Sequence, residues 1–222
     1  MQAKILMRRI LVGISLALGV SGCVLAHAPD RALSPKERPD DLGVPLVAMG
    51  PICGSPNIIG RSIPPIPGRL PGCGIADPVL VNEVHGIRLS QPARMDCPTA
   101  SALEHWTQDG VLDVVGSYRG GVQQYQVAAH YVCRTRYNRP TAKLSEHARG
   151  KAIDISGFVM GDGRQISLIQ DWGNGRPGTI LRRMHDTACG IFGTVLGPNA
   201  NAAHADHFHF DTARYDGGSY CR

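Results

Sequence analysis

The sequence predicts an α+β domain: a small, largely antiparallel sheet with flanking helices, stapled by disulfides. Three observations lead there. Stretches of period two and stretches of helical period are interleaved along the chain. Short turn signals, His85-Gly86 and Gly161-Asp162-Gly163, join neighbouring strand candidates and so favour antiparallel pairs. Six cysteines accompany Cys23, an even set suited to disulfides.

The elements are taken in chain order. Lys4, Arg8 and Arg9 precede the apolar run Ile10 to Val20, and Ser21-Gly22-Cys23 follow. A basic start, a short apolar middle and small residues after it form a signal peptide over 1–22. The run is too short for a spanning helix, which needs about 20 residues. Val20-Ser21-Gly22-Cys23 resembles a bacterial lipobox. That resemblance implies cleavage before Cys23 and a lipid on its sulfur that anchors the chain to a membrane. An ordinary secretory cut near Ala26 or Ala28 is the alternative. Val24 stands where inner-membrane retention would often show Asp, which points to the periplasmic face of the outer membrane. Residues 23–72 read as the lipidated Cys23 followed by a tether. The tether is first charged and aperiodic, then rich in Pro and Gly, with Pro64, Pro65, Pro67 and Pro71 close together.

The compact domain is expected over 73–222. Val79 to Val84 and Ile87 to Leu89 form a hairpin about His85-Gly86. A helix starts at Cys97-Pro98, with Ala102, Leu103 and Trp106 on its apolar face. Val122 to Cys133 has strand character. Ala152 to Phe158 is a strand with Ala152, Asp154 and Ser156 on one face and Ile153 and Ile155 on the other. Gln165 to Ile169 is its partner across the Gly161–Gly163 turn. Residues 178–189 form an amphipathic helix with Ile180, Leu181 and Met184 inward, stopped by Gly190. Phe192 to Leu196 and Asp206 to Asp211 are short strands.

The formal charge is +5, and removing Lys4, Arg8 and Arg9 with the signal peptide leaves +2. A nearly neutral domain does not support nucleic acid as a partner. The six cysteines, Cys53, Cys73, Cys97, Cys133, Cys189 and Cys221, suit an exported protein in an oxidising compartment. Sequence does not select a pairing; Cys53–Cys73, Cys97–Cys133 and Cys189–Cys221 is the working expectation. No close Cys-x-x-Cys pair suggests a thiolate metal site.

Two segments carry the chemistry: Ser145-Glu146-His147-Ala148-Arg149-Gly150-Lys151-Ala152-Ile153-Asp154 and His204-Ala205-Asp206-His207-Phe208-His209-Phe210-Asp211. Gly150 lets the chain turn between His147 and Asp154. In the second segment, period two places His207, His209 and Asp211 on one face and Asp206, Phe208 and Phe210 on the other. His147, Asp154 and His209 can then converge as two nitrogen donors and one oxygen donor. Three ligands with an open fourth position make a catalytic zinc site, one Zn2+ per chain. The remaining histidines, His27, His85, His105, His130 and His185, lack such company and read as structural. Trp172 reads as a core or loop residue rather than a stacking platform.

The pattern Ser-x-His-x2-Gly-x-Ala-x-Asp followed by His-x2-His-x-His resembles the zinc peptidases of the D-alanyl-D-alanine carboxypeptidase, VanX and murein endopeptidase group, whose fold hedgehog proteins share. Cys73 to Pro78, Tyr131 to Arg134, Leu144 to Asp154, Ala188 to Gly193 and His204 to Asp211 look more closely like the bacterial extensin-like C-terminal domain family. The chain has no repeats of a plant wall protein. The resemblance implies a hedgehog/D-Ala-D-Ala peptidase-like fold, with His147, Asp154 and His209 as zinc ligands. It implies that Ser145 holds substrate, although capping its own turn is an equal role. It implies an arginine that orients the substrate, Arg134 first and Arg136 second. The general base has no single match: strand parity favours His207 over Asp206, and the candidates in order are His207, His204 and Asp206. The implied function is zinc-dependent hydrolysis of peptidoglycan stem-peptide or cross-link amide bonds, with peptidoglycan peptides as partners. The alternative is a non-catalytic, zinc-containing envelope module that binds cell wall or protein.

Overall fold

The computed structural model describes residues 48–214 and 216–222. The expected signal segment, Cys23 with its expected lipid, and the first part of the expected tether lie outside the described residues.

The sheet begins earlier than the sequence reading placed it. Strands β1 (Gly50–Ile52) and β2 (Ser55–Ser62) form an antiparallel hairpin, in the stretch expected to be irregular. Ile58 is the reason: it is fully buried, and β2 pairs with a core strand. The many prolines fall after β2, around the two-residue strands β3 (Ile66–Pro67) and β4 (Gly74–Ile75), which pair separately. Strands β5 (Val79–Val84) and β6 (Ile87–Met95) form the expected hairpin. Both turn residues are left-handed, His85 at φ 47° and Gly86 at φ 77°, as a tight two-residue hairpin turn requires.

Helix α1 (Cys97–Trp106) starts where expected, with Asp96 accepting from the Thr99 N–H at 2.9 Å and Pro98 in the first turn. It continues through a π-helical turn, Thr107–Leu112, into α2 (Asp113–Val115). Strand β7 (Val122–Ala129) precedes β8 (Ala152–Met160) and β9 (Gln165–Ser167). The strand expected over 165–169 ends at Ser167, because Asp171 accepts from the Ser167 N–H at 2.8 Å. That bond turns the chain into α3 (Leu168–Asp171). Helix α4 (Gly175–Ala188) buries Ile180, Leu181 and Met184 as expected. Strands β10 (Thr194–Leu196), β11 (Phe208–Asp211) and β12 (Tyr220–Cys221) complete the chain.

Among the described residues the main sheet has ten strands, in the order β1-β2-β5-β6-β7-β8-β11-β10-β12, with β9 also on β8. It is mixed α+β and mostly antiparallel; β6–β7 and β10–β12 are the parallel pairs. It is larger than the small sheet expected, because the N-terminal hairpin and β12 extend it at both ends.

One face of the sheet packs an aromatic cluster. Phe210 stacks on Phe192 at 4.8 Å and meets the edge of Trp106 at 4.9 Å; Tyr125 meets Phe158 at 5.7 Å. Their polar atoms are satisfied: Trp106 donates to the Met184 carbonyl, and Tyr125 donates to Thr107. Trp172 belongs to this packing too, edge-on to Phe208, with its indole N–H on Asn199.

Three disulfides form, with two partners exchanged relative to expectation: Cys53–Cys97, Cys73–Cys133 and Cys189–Cys221. Cys53 and Cys73 do not pair because β2 runs between them as a full sheet strand. Cys53, in the β1–β2 turn, instead meets the first residue of α1. A non-reducing digest is expected to yield Cys53–Cys97 and Cys73–Cys133 peptides and no Cys53–Cys73 peptide. Replacing Cys53 and Cys97 by serine, which opens a 44-residue separation, costs about 2–5 kcal/mol by denaturant unfolding.

Candidate metal centre

Two adjacent strands and one turn build the centre. Strands β8 and β11 are antiparallel, with His209 opposite Asp154, Phe208 opposite Ile155 and Phe210 opposite Ile153. The Phe and Ile side chains enter the core, so Asp154 and His209 point together to the other face. His147 comes from the short helical turn Glu146–Arg149 just before β8. Gly150 ends that turn at φ 68°, and a Cβ there would sit 2.2 Å from Ile75 Cδ1. The position thus needs glycine for both conformation and space.

The three expected ligands meet. His147 Nε2 lies 3.1 Å from Asp154 Oδ1 and 3.1 Å from His209 Nδ1, and His209 Nδ1 lies 2.8 Å from Asp154 Oδ1. Bonds of 2.0–2.1 Å to a tetrahedral zinc place ligand atoms about 3.3 Å apart. The observed triangle fits that spacing with slight contraction.

The second ring nitrogens confirm the orientation. His147 donates from Nδ1 to the His130 carbonyl at 2.7 Å, which leaves Nε2 as the donor pair toward the centre. His209 donates from Nε2 to Asp211 at 3.0 Å, which leaves Nδ1 for the centre. Such partners fix the tautomer of metal-binding histidines. Asp211 is itself held by the Ala213 N–H at 3.0 Å. The residues present therefore fit a zinc ion; their chemistry, nitrogen and oxygen without thiolate, suits it.

Charge follows this geometry. Burial opposes ionisation of Asp154, yet hydrogen bonds from His147 and His209 outweigh it and hold the carboxyl well below its usual range. Burial likewise opposes the His209 imidazolium, but Asp154 and Asp211 on its two sides raise it to about 9.

The centre opens into a cavity of about 670 Å³. His204 and His207 line it with the three ligands. Nδ1–H of His207 donates to Asp206 at 2.7 Å, while Nε2 faces Asp154 Oδ2 at 3.7 Å. Asp206 itself points outward and does not line the cavity. His207 thus faces the cavity and Asp206 lies behind it, joined to its Nδ1. His204 places Nδ1 3.0 Å from Asn201 Oδ1. Burial, then the neighbouring His209 and His207, lowers its pKa to about 4. Arg134, Arg136 and Ser145 line the same cavity. The Ser145 hydroxyl makes no cap to its turn. Arg136 faces the buried Glu146 at 3.7 Å, whereas Arg134 contacts only the Thr135 carbonyl, at 3.4 Å.

Sequence reading gave no role to Asp211, Asn201 or the His130 carbonyl. Period two did place Asp211 on the His209 face, which was the available signal. A backbone carbonyl leaves none.

Zinc affinity is expected to fall about 10- to 100-fold in Asp211→Asn, with the fold kept, by titration against a competing chelator. Unchanged affinity would remove Asp211 from the centre. His209 in the metal-free protein carries a proton below about pH 9, and zinc must displace it. Apparent affinity therefore rises with pH up to that value, with proton release measurable in buffers of different ionisation enthalpy.

No curated protein and no solved structure matches the chain. Residues 57–222, most of the sequence, match the family described as "Extensin-like protein C-terminus". The chain belongs to the extensin-like C-terminal family.

Proposed function

We propose that the chain is a zinc-dependent hydrolase of peptidoglycan stem-peptide or cross-link amide bonds, related in fold and mechanism to the D-Ala-D-Ala peptidase and hedgehog-like group. The observation that carries this reading is convergence in one open cavity. A two-histidine, one-carboxylate ligand set, a carboxylate-held histidine and two arginines meet there. Zinc bound by His147, Asp154 and His209 would polarise a scissile carbonyl and activate water near neutral pH.

The chain's own residues supply the remaining parts. Asp206 fixes the tautomer of His207, so that Nε2 is the free base facing the centre. That atom takes a proton from the attacking water and returns it to the leaving amine. His204, neutral at pH 7, offers a second acceptor beside it. Arg134, the less encumbered guanidinium, holds a substrate carboxylate or the developing oxyanion. The Ser145 hydroxyl is left to donate to substrate.

Export and anchoring belong to the same proposal. Three disulfides support an oxidising compartment. The lipobox-like Val20 to Cys23 supports a lipid anchor in the envelope, on the periplasmic face of the outer membrane.

Incubation of purified peptidoglycan with the zinc-loaded protein, followed by mass spectrometry, is expected to show loss of cross-linked or full-length stem peptides. Zinc removal and His209→Ala abolish it. Hydrolysis that survives His209→Ala contradicts the assignment, and bound zinc without product favours the wall-binding alternative. His207→Ala is expected to lower kcat about 10²- to 10⁴-fold while zinc stays bound. Asp206→Asn, which weakens the bond that orients the His207 ring, lowers kcat and leaves zinc content unchanged.

A further inference from the structure

We propose that the rim of the cavity is a carbohydrate subsite, in which Tyr137 and Tyr220 stack on pyranose rings of a glycan strand. The inference rests on the proposed function, since a stem peptide reaches the centre while attached to such a strand.

Tyr137 and Tyr220 line the same cavity as the metal ligands. They are nevertheless 56% and 52% exposed, whereas the other tyrosine ring near the core, Tyr125, is fully buried. Among the described residues neither phenol hydroxyl has a hydrogen-bond partner. Large aromatic rings left open at the mouth of a polar cavity indicate a ligand that covers them.

The backbone holds Tyr137 there against its own preference. Tyr137 has φ 56° in the left-handed region without glycine's freedom, and the following Asn138, at φ 55°, is a residue type that tolerates it. Such strain persists only where the surroundings impose it, and it concentrates at ligand sites. The loop imposes it with several bonds. The Arg136 N–H donates to the Lys143 carbonyl at 2.9 Å, the Thr135 hydroxyl donates to the Arg139 carbonyl at 2.7 Å, and Thr135 bridges Leu144.

The chemistry beside each ring favours a sugar. A pyranose has a face of C–H groups and a perimeter of hydroxyls. An aromatic ring covers the first, and planar polar donors bind the second. The Arg139 guanidinium lies over one face of the Tyr137 ring, 5.8 Å from its centre, and that of Arg222 over one face of the Tyr220 ring, 5.8 Å from its centre, so a sugar stacks on the opposite face. Each tyrosine thus brings its own forked donor. Asn201 lines the wall of the same cavity.

The test is calorimetric titration of the purified full chain with two probes: short peptide-free fragments of the wall glycan, and free stem peptide. The wild type binds the glycan fragments. Tyr137→Ala and Tyr220→Ala each weaken that binding about 3- to 10-fold, the size of one aromatic contact, while Tyr→Phe at either position retains it. His209→Ala binds the fragments like wild type, because the rim does not need the metal. Both rings are exposed, so melting temperatures stay unchanged; should Tyr137→Ala unfold, Tyr220→Ala alone decides. Absence of glycan binding by the wild type, or alanine variants that bind like wild type, overturns the subsite. Peptide hydrolysis without glycan binding would overturn this inference and leave the proposed function standing. Glycan binding without hydrolysis would do the reverse.

Discussion

The register between β8 and β11 is the constraint on which the centre depends. Asp154 stands opposite His209 only because Ile153 and Ile155 stand opposite Phe210 and Phe208. All four apolar side chains are fully buried against the aromatic cluster. A slip of one residue would turn them out of the core and turn the two ligands into it. Core burial therefore fixes the metal geometry, and the energy that holds the ligands is spread over the whole sheet. The third ligand is set differently. His147 depends on a tight turn, a left-handed glycine packed against Ile75, and one backbone carbonyl.

Electrostatics at the same centre suits the proposed cation. Asp154 and Asp211 are both almost fully buried, and buried carboxylates are costly unless paired. In the metal-free protein the proton raised on His209 serves as that partner. A divalent ion satisfies the same field more completely and needs the same nitrogen. The cavity is lined by Arg134, Arg136, neutral groups and three carboxylates, each of which faces a basic group: Asp154 and Asp211 face His209, and Glu146 faces Arg136.

Much of this was legible in the chain because it follows local periodicity. Strand alternation places His207, His209 and Asp211 together, and the His147–Gly150–Asp154 spacing announces a turn into a strand. Cys97-Pro98 marks the start of α1, and His85-Gly86 marks the hairpin. What escaped reading depends on contacts distant in sequence. Ile58 belongs to the core only because β2 docks on β5, so a proline-rich neighbourhood concealed a sheet strand. Cys53 finds Cys97 for the same reason. The place of Asp206, outside the cavity and one hydrogen bond behind the His207 imidazole, likewise depends on how the loop before β11 folds. Tyr137 sits in a left-handed backbone that its own residue type does not announce, although Asn138 after it favours that region.

X-ray absorption at the zinc edge of the zinc-loaded protein tests the central claim most directly. The account predicts one ion per chain in a shell of two imidazole nitrogens and two oxygens at about 2.0–2.1 Å, with one oxygen exchangeable. The same spectrum loses an imidazole in His209→Ala. A sulfur shell near 2.3 Å, or a spectrum indifferent to His209, would place the metal elsewhere and contradict the account.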